Sequence, residues 1–463
     1  MLFWLAMPSR SEQGTPRRVL STTDAVVMIV GLVLGAGIFR ASPVVAAGAG
    51  TEAAFLGLWV LGGAISLVGA LCYAELASTY PDAGGEYHFL TRAFGRRAGF
   101  LCAWSRIAVV QTGSIAILAY VVGDYAAPLF ARGDSAALSA TIAAAVVIVL
   151  TALNLLGLRL GCRAQYVLTG LEVLGLAAVA IAGFLHAAPE SAAQAQPATG
   201  PGLGLAIVFV LLTFGGWSEA AYLSAELRDD RRGVSRTLAW GIGVITVLYL
   251  VANAGYVHGL GLAGLAASTA PAADVVQAAG GAGLAAAVSV AVVVAALSSA
   301  NATMITGARS SYAMGRDVPA LGFLGTWRSD QSAPTHALLA QGAVALFLVG
   351  FGAVARQGFE AMVAYTAPVF WLILFGSGLA LIVLRRRDPA ADRPFRVPLY
   401  PLTPILFCLA SAFMLYSSVA YAGAGALLGL AVAFAGLPLL APRRGAAPVE
   451  PVVDAPPASG GPV

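Results

Sequence analysis

This 463-residue chain contains no lysine: all 26 of its basic residues are arginine. That absence excludes a phosphate-binding loop of the form GxxxxGK followed by Ser or Thr, and with it ATP-driven work of that kind. Charge of either sign is scarce, at 10% of residues against 59% hydrophobic. No ordinary soluble domain of this length is so poor in charge. Cysteine is sparse too. Cys72, Cys102, Cys162 and Cys408 lie far apart, which fits neither a zinc site nor a disulfide framework, and they read as small packing residues. His88, His186, His258 and His336 are scattered without metal spacing, and no Ser/His/Asp arrangement points to an enzyme. The all-arginine usage reads as compositional bias. The net charge of +4 therefore says little about partners and makes no case for nucleic acid.

Apolar runs fill most of the chain. Many approach 20 residues, long enough to cross a bilayer core of roughly 30 Å. They are continuous rather than alternating, so they predict helices and not a barrel. Twelve segments can be counted, from 22–46 to 423–440. If the N-terminus is cytoplasmic, Arg40, Arg132 and Arg356 fall on the outer side, Arg106 falls within a span, and every other arginine faces the cytoplasm. The positive-inside rule thus predicts a multi-pass protein of the cell membrane with both termini cytoplasmic. The expected organisation is a cytoplasmic segment over 1–21, spans 1–5 over 22–186, spans 6–10 over 201–385 and spans 11–12 over 402–440. A disordered tail rich in Pro, Ala and Gly follows over 441–463.

Two of these spans are interrupted. The first carries "GAGIF" at 35–39 and the sixth carries "TFGGW" at 213–217. Each opens a block of five spans. Glycine-broken helices at matching places in two halves point to inverted repeats with a binding site near the membrane midplane. A break exposes backbone N–H and C=O groups, which is costly unless something polar binds there. Half-helix N-termini suit a carboxylate, and freed carbonyls suit an ammonium. Those two charges together describe an amino acid. The plainer alternative is that these glycines only let helices pack closely.

The chain resembles the amino acid–polyamine–organocation transporters, and among them the L-type amino-acid carriers and their bacterial relatives. The resemblance rests on "GAGIF", on "CYAELASTYPDAGGEYHFLTRAFG" at 72–95 and on "TFGGWSEAAYLSAELRDDRR" at 213–232. It continues in "SSANATMITGARSSYAMGRDVPA" at 298–320 and "RPFRVPLYPLTPIL" at 393–406. It implies an all-α protein of 12 transmembrane helices, in a five-plus-five inverted repeat of the leucine-transporter type with helices 1 and 6 broken. It also implies transport by alternating access. Carried over by residue, amides near Ala36 and Gly37 would receive the substrate carboxylate, and carbonyls near Val33, Phe214 and Gly215 would receive the ammonium. Gly35, Ile38 and Gly216 also belong to the expected substrate-binding set at the two breaks. Leu212 stands where relatives often place an aromatic gate, and Ala36 where many have Ser. Trp217, a mid-span aromatic at the second break, is expected to shape the site.

Several polar residues ask for a role. Glu172 lies inside the fifth span, where an ionisable group is a functional hypothesis by default. The resemblance implies a lysine there, following Gln165 and Thr169, so the charge is reversed. Glu172 could take a proton, could ligate Na⁺ with Ser298 and Ser299, or could be a structural group bonded to those hydroxyls. No other cofactor is expected. The implied partners are an amino-acid substrate and membrane lipid, and no accessory subunit can be inferred. Glu219 either lines the substrate path or caps unwound backbone. Arg40 either draws carboxylates inward or reaches lipid head groups. Glu75 and Glu226 read as ion-pair partners of nearby arginines. Gln111, Asn301 and Tyr365 either reach the site from spans three, eight and ten or, the preferred reading, link helices, and Ser21 and Asp24 read as helix caps.

Overall fold

The computed structural model describes residues 20–440, apart from Ala36, Ala83, 131–134, 189–201, 224–232, 269–270, 281–284, 329–332, 356–357 and Gly423. Ala36, Glu226, the Arg40 side chain, nearly all of the 1–21 segment and the whole 441–463 tail therefore lie outside the described residues. The regular structure is helical, with no strand among the described residues.

In chain order the helices are α1 (Thr22–Val33), α2 (Gly37–Ala49), α3 (Glu52–Thr79), α4 (Glu86–Phe94) and α5 (Arg96–Ser105). A π-helical turn, Arg106–Val110, joins α5 to α6 (Gln111–Phe130), and α7 (Ser135–Leu155) and α8 (Leu158–Leu185) follow. The second half begins with α9 (Gly202–Thr213), α10 (Ala220–Leu223), α11 (Gly233–Ala267), α12 (Pro271–Gly280) and α13 (Ala285–Asp317). It closes with α14 (Thr335–Ala355), α15 (Gly358–Arg387), α16 (Leu402–Ala422) and α17 (Ala424–Ala435).

Among the described residues, ten helical stretches are long and apolar enough to cross a membrane, and two shorter apolar ones, Ala206–Tyr222 and Gly425–Ala435, accompany them. The shorter pair occupies the expected spans 202–225 and 423–440. The first is cut by a turn at 214–216, so neither half reaches bilayer length by itself. The outer surface is apolar at mid-helix positions. Trp240, Phe347 and Tyr416 are 68%, 72% and 73% exposed, which suits hydrocarbon and not water.

Small residues set the packing inside. A Cβ on Gly183 would overlap the backbone of Gly255, so α8 and α11 touch main chain to main chain. Helix starts follow their sequence cues. Ser21 caps α1 by accepting from Asp24 N, and Asp24 accepts from Ser21 N at 2.7 Å in return.

The end carrying α4 is tied by charge. Buried Glu75 accepts from Arg385 Nε at 2.6 Å and from Val397 N at 2.6 Å, and Arg393 lies 3.5 Å away. Tyr87 donates to Asp317 at 2.6 Å, and burial together with that carboxylate pushes its phenol up, so it stays a donor.

Candidate functional site

The two interruptions meet face to face. α1 stops at Val33 and α2 starts at Gly37, while α9 stops at Thr213 and is followed by a turn, Phe214–Gly216. A 3₁₀ turn, Trp217–Glu219, then leads into α10. Gly216 adopts φ 108°, a left-handed conformation, and a Cβ there would overlap Leu32 in α1. A Cβ on Gly37 would lie 3.2 Å from Thr213 Cγ2. Gly37 itself is exposed, and Leu212, Gly215, Gly216 and nearby Phe370 are half-buried, so the junction has an accessible lining of small or apolar groups. Gly35 and Ile38 are buried beside it. The start of α2 carries first-turn N–H groups with no helical acceptor.

One tyrosine joins the two breaks. Tyr249 Oη in α11 lies 2.6 Å from Val33 O and 3.0 Å from Thr213 O. A hydroxyl has one proton, so it serves one carbonyl at a time and leaves lone-pair capacity on the other. The sequence reading missed Tyr249. Its only signal was a polar aromatic within a span, which several other tyrosines share. Phe214 packs against Tyr249 and Trp59, with ring centroids 5.0 Å and 6.3 Å away. Trp217 packs against Tyr73 at 5.1 Å and Phe407 at 6.0 Å. Both rings anchor the second break in neighbouring helices, and their backbone faces the first break.

The end of α1 is held by a polar cluster from α8 and α13. Gln165 Nε2 donates to Ser298 Oγ at 2.9 Å and to Thr169 Oγ1 at 3.0 Å. Asn301 donates to Gln165 Oε1 at 2.9 Å. Ser298 and Ser299 donate to Gly31 O at 3.3 Å and 2.8 Å, and Ser299 also reaches Leu32 O at 3.0 Å. A Cβ on Gly31 would collide with this cluster, which explains the first of the helix's glycines. Both serines are thus engaged with helix carbonyls, and the Ser298 hydroxyl also lies beside Glu172. Glu172 is 3% exposed, with Ser298 and Tyr249 as polar neighbours, and neither of its carboxylate oxygens has a hydrogen-bond partner among the described residues.

A second cluster was not anticipated. The π turn places Arg106 inward, with Gln111 N–H bonded to Arg106 O five residues back. Arg106 is fully buried. It donates to Glu219 Oε1 at 2.5 Å and to Glu86 Oε2 at 2.8 Å. Gln111 donates to Glu219 Oε2 at 2.9 Å, so Glu219 is paired across helices rather than capping unwound backbone. Tyr73 and Tyr222 donate to Glu86 at 2.5 Å and 2.8 Å. Tyr365 donates to Ala108 O at 3.0 Å, which agrees with the role of a polar link expected for it.

Comparison with known proteins agrees on one family. The model of a family described as amino acid permease matches residues 20–433. The b(0,+)-type amino acid transporter 1 of Mus musculus is 29% identical over 436 residues, covering 88% of this chain and 86% of that protein. The Asc-type amino acid transporter 1 of the same species is 28% identical, covering 93% and 82%. The serine/threonine exchanger SteT of Bacillus subtilis is 26% identical, covering 93% and 97%.

Proposed function

The chain belongs to the amino acid permease family, and we propose that it moves neutral amino acids across the cell membrane by alternating access. The observation that carries this reading is the meeting of the two helix breaks, bridged by Tyr249 through Val33 O and Thr213 O. First-turn N–H groups at the start of α2, which have no helical acceptor, suit the substrate carboxylate, and carbonyls at Val33 and 213–216 suit its ammonium. Neutral side chains are favoured because the carboxylate next to the second break, Glu219, is already engaged by Arg106 and Gln111. The relatives' names point the same way: one exchanges serine and threonine, and another carries large neutral amino acids.

The same reading assigns 12 spans in two inverted blocks of five plus two, with both termini cytoplasmic. It is supported by the arginine distribution and by the two broken helices at equivalent places. Glu172 is assigned as the site of proton coupling. A proton needs no ligand shell, whereas Na⁺ would have to share Ser298 and Ser299 with the α1 carbonyls. A buried carboxylate without a partner is costly as an anion and is relieved by a proton.

Uptake of labelled amino acids into proteoliposomes, with and without an inward proton gradient and internal amino acid, tests this. Gradient-stimulated uptake supports symport through Glu172, and uptake that needs only internal amino acid makes the protein an exchanger. No uptake of any amino acid by folded protein moves the assignment to amines and polyamines. Gly37→Val, which fills the junction, should abolish substrate binding in a folded protein.

A further inference from the structure

The Arg106 cluster lies outside the junction of the breaks, yet it grips one side of it. Its guanidinium connects two parts of the chain that are far apart in sequence. Through Glu219 it holds the 3₁₀ turn after the second break, whose Glu219 N–H bonds back to Gly216 O at 3.1 Å. Through Glu86 it holds the start of α4, at the charged end of the molecule. Tyr222, in α10 just past the same break, also donates to Glu86. The short segment beyond the break is therefore fastened to α4 and to the π turn by side chains alone. The half-helix α9 is joined to it only by the turn 214–216, which contains two glycines. Such a joint can bend, and what resists bending is the ion cluster together with the packing of Trp217 on Tyr73 and Phe407.

We propose that Arg106 is a positioning residue for transport: it latches the segment 217–223 to α4, and the α4 side of the site opens when the Arg106–Glu219 pair parts. The proposal rests on the reading that substrate sits at the breaks. Parting is possible because neither carboxylate depends on Arg106 alone. Glu86 keeps the Tyr73 hydroxyl, and Glu219 keeps Gln111. A buried guanidinium with one carboxylate remaining is still paired. The latch thus has two states that both satisfy its central charge.

Cys102 offers a native reporter. It is 4% exposed, lies one helical turn before Arg106, and is close enough to feel the charges of Glu86 and Arg106. In a protein reduced to this single thiol by Cys72→Ala, Cys162→Ala and Cys408→Ala, a membrane-impermeant maleimide reads opening from each side of a proteoliposome. We expect labelling from the α4 side to rise tenfold or more in Glu219→Gln and in Arg106→Gln. The double variant should label no faster than the faster single one. Arg106→Lys should restore protection in part. Glu75→Gln breaks a different buried ion pair at the same end and should leave Cys102 protected. If Arg106→Gln does not fold, the isosteric Glu219→Gln decides alone. Wild-type protein turning over with serine on both sides should also label faster than resting protein. Equal protection of Cys102 in wild type and in folded Glu219→Gln overturns the latch, as does multiplicative labelling in the double variant. Because labelling of the variants needs no substrate, a substrate-binding Gly37→Val protein would refute the site reading and leave this result untouched.

Discussion

Two carboxylates, Glu172 and Glu219, are buried to nearly the same depth, 3% and 5% exposed, in opposite circumstances. Glu219 receives a guanidinium and an amide, and its Arg106 partner is shared with Glu86. Glu172 has no partner in hydrogen-bonding geometry among the described residues, with the Ser298 hydroxyl beside it. The contrast separates a charge that ties helices together from one that does not. A buried charge whose partners are all in place stabilises one arrangement of helices, and removing a partner is expensive. A buried carboxylate with none is costly as an anion and ties no helices together by hydrogen bonds. Depth alone, which the sequence already indicates, does not distinguish the two.

The contrast can be broken or sharpened by substitution, and the largest effect is expected at Arg106. Arg106→Gln leaves Glu86 and Glu219 with neutral donors but no counter-charge and should cost about 3–5 kcal/mol of stability, read from unfolding in detergent. A loss below about 1 kcal/mol would mean the cluster does not brace the fold. Tyr249→Phe removes one hydroxyl shared by two carbonyls. It should cost about 1 kcal/mol in stability, and substrate affinity should fall because the two breaks lose their bridge. Glu172→Gln removes no hydrogen bond, so its stability change should stay within about 0.5 kcal/mol, as for sites outside the destabilising mechanisms. Its effect should fall on transport instead: uptake driven by an inward proton gradient is lost, and exchange against internal amino acid persists. If Glu172→Gln destabilises as much as Arg106→Gln, the two carboxylates play the same role.

Much of this arrangement was legible beforehand. The apolar runs and the glycine clusters placed the helices and their interruptions, because membrane spans and breaks are local properties of ten to twenty residues. The pairing of Glu75 with arginines and the linking roles of Gln111, Asn301 and Tyr365 followed from polar residues standing in apolar surroundings. The second engagement of Ser298 and Ser299 did not. They were grouped with Glu172, which Ser298 does adjoin, but both also donate to α1 carbonyls, those of Gly31 and Leu32. Freed carbonyls lie on the backbone and leave no mark in the sequence, so the competitor for those hydroxyls was invisible.

The sequence by itself determined that the chain is a helical membrane protein with two broken helices and the motifs of amino acid permeases. Those features depend on composition, on run length and on residues close together in the chain. Only the tertiary structure decided which polar groups meet. Tyr249 bridges breaks that are 180 positions apart in the chain, from Val33 to Thr213. Arg106 joins Glu86 to Glu219 across three separate helical segments. A side chain's partner is chosen by packing over the whole bundle, and in a medium that offers no water each choice carries the full cost of an unmet charge.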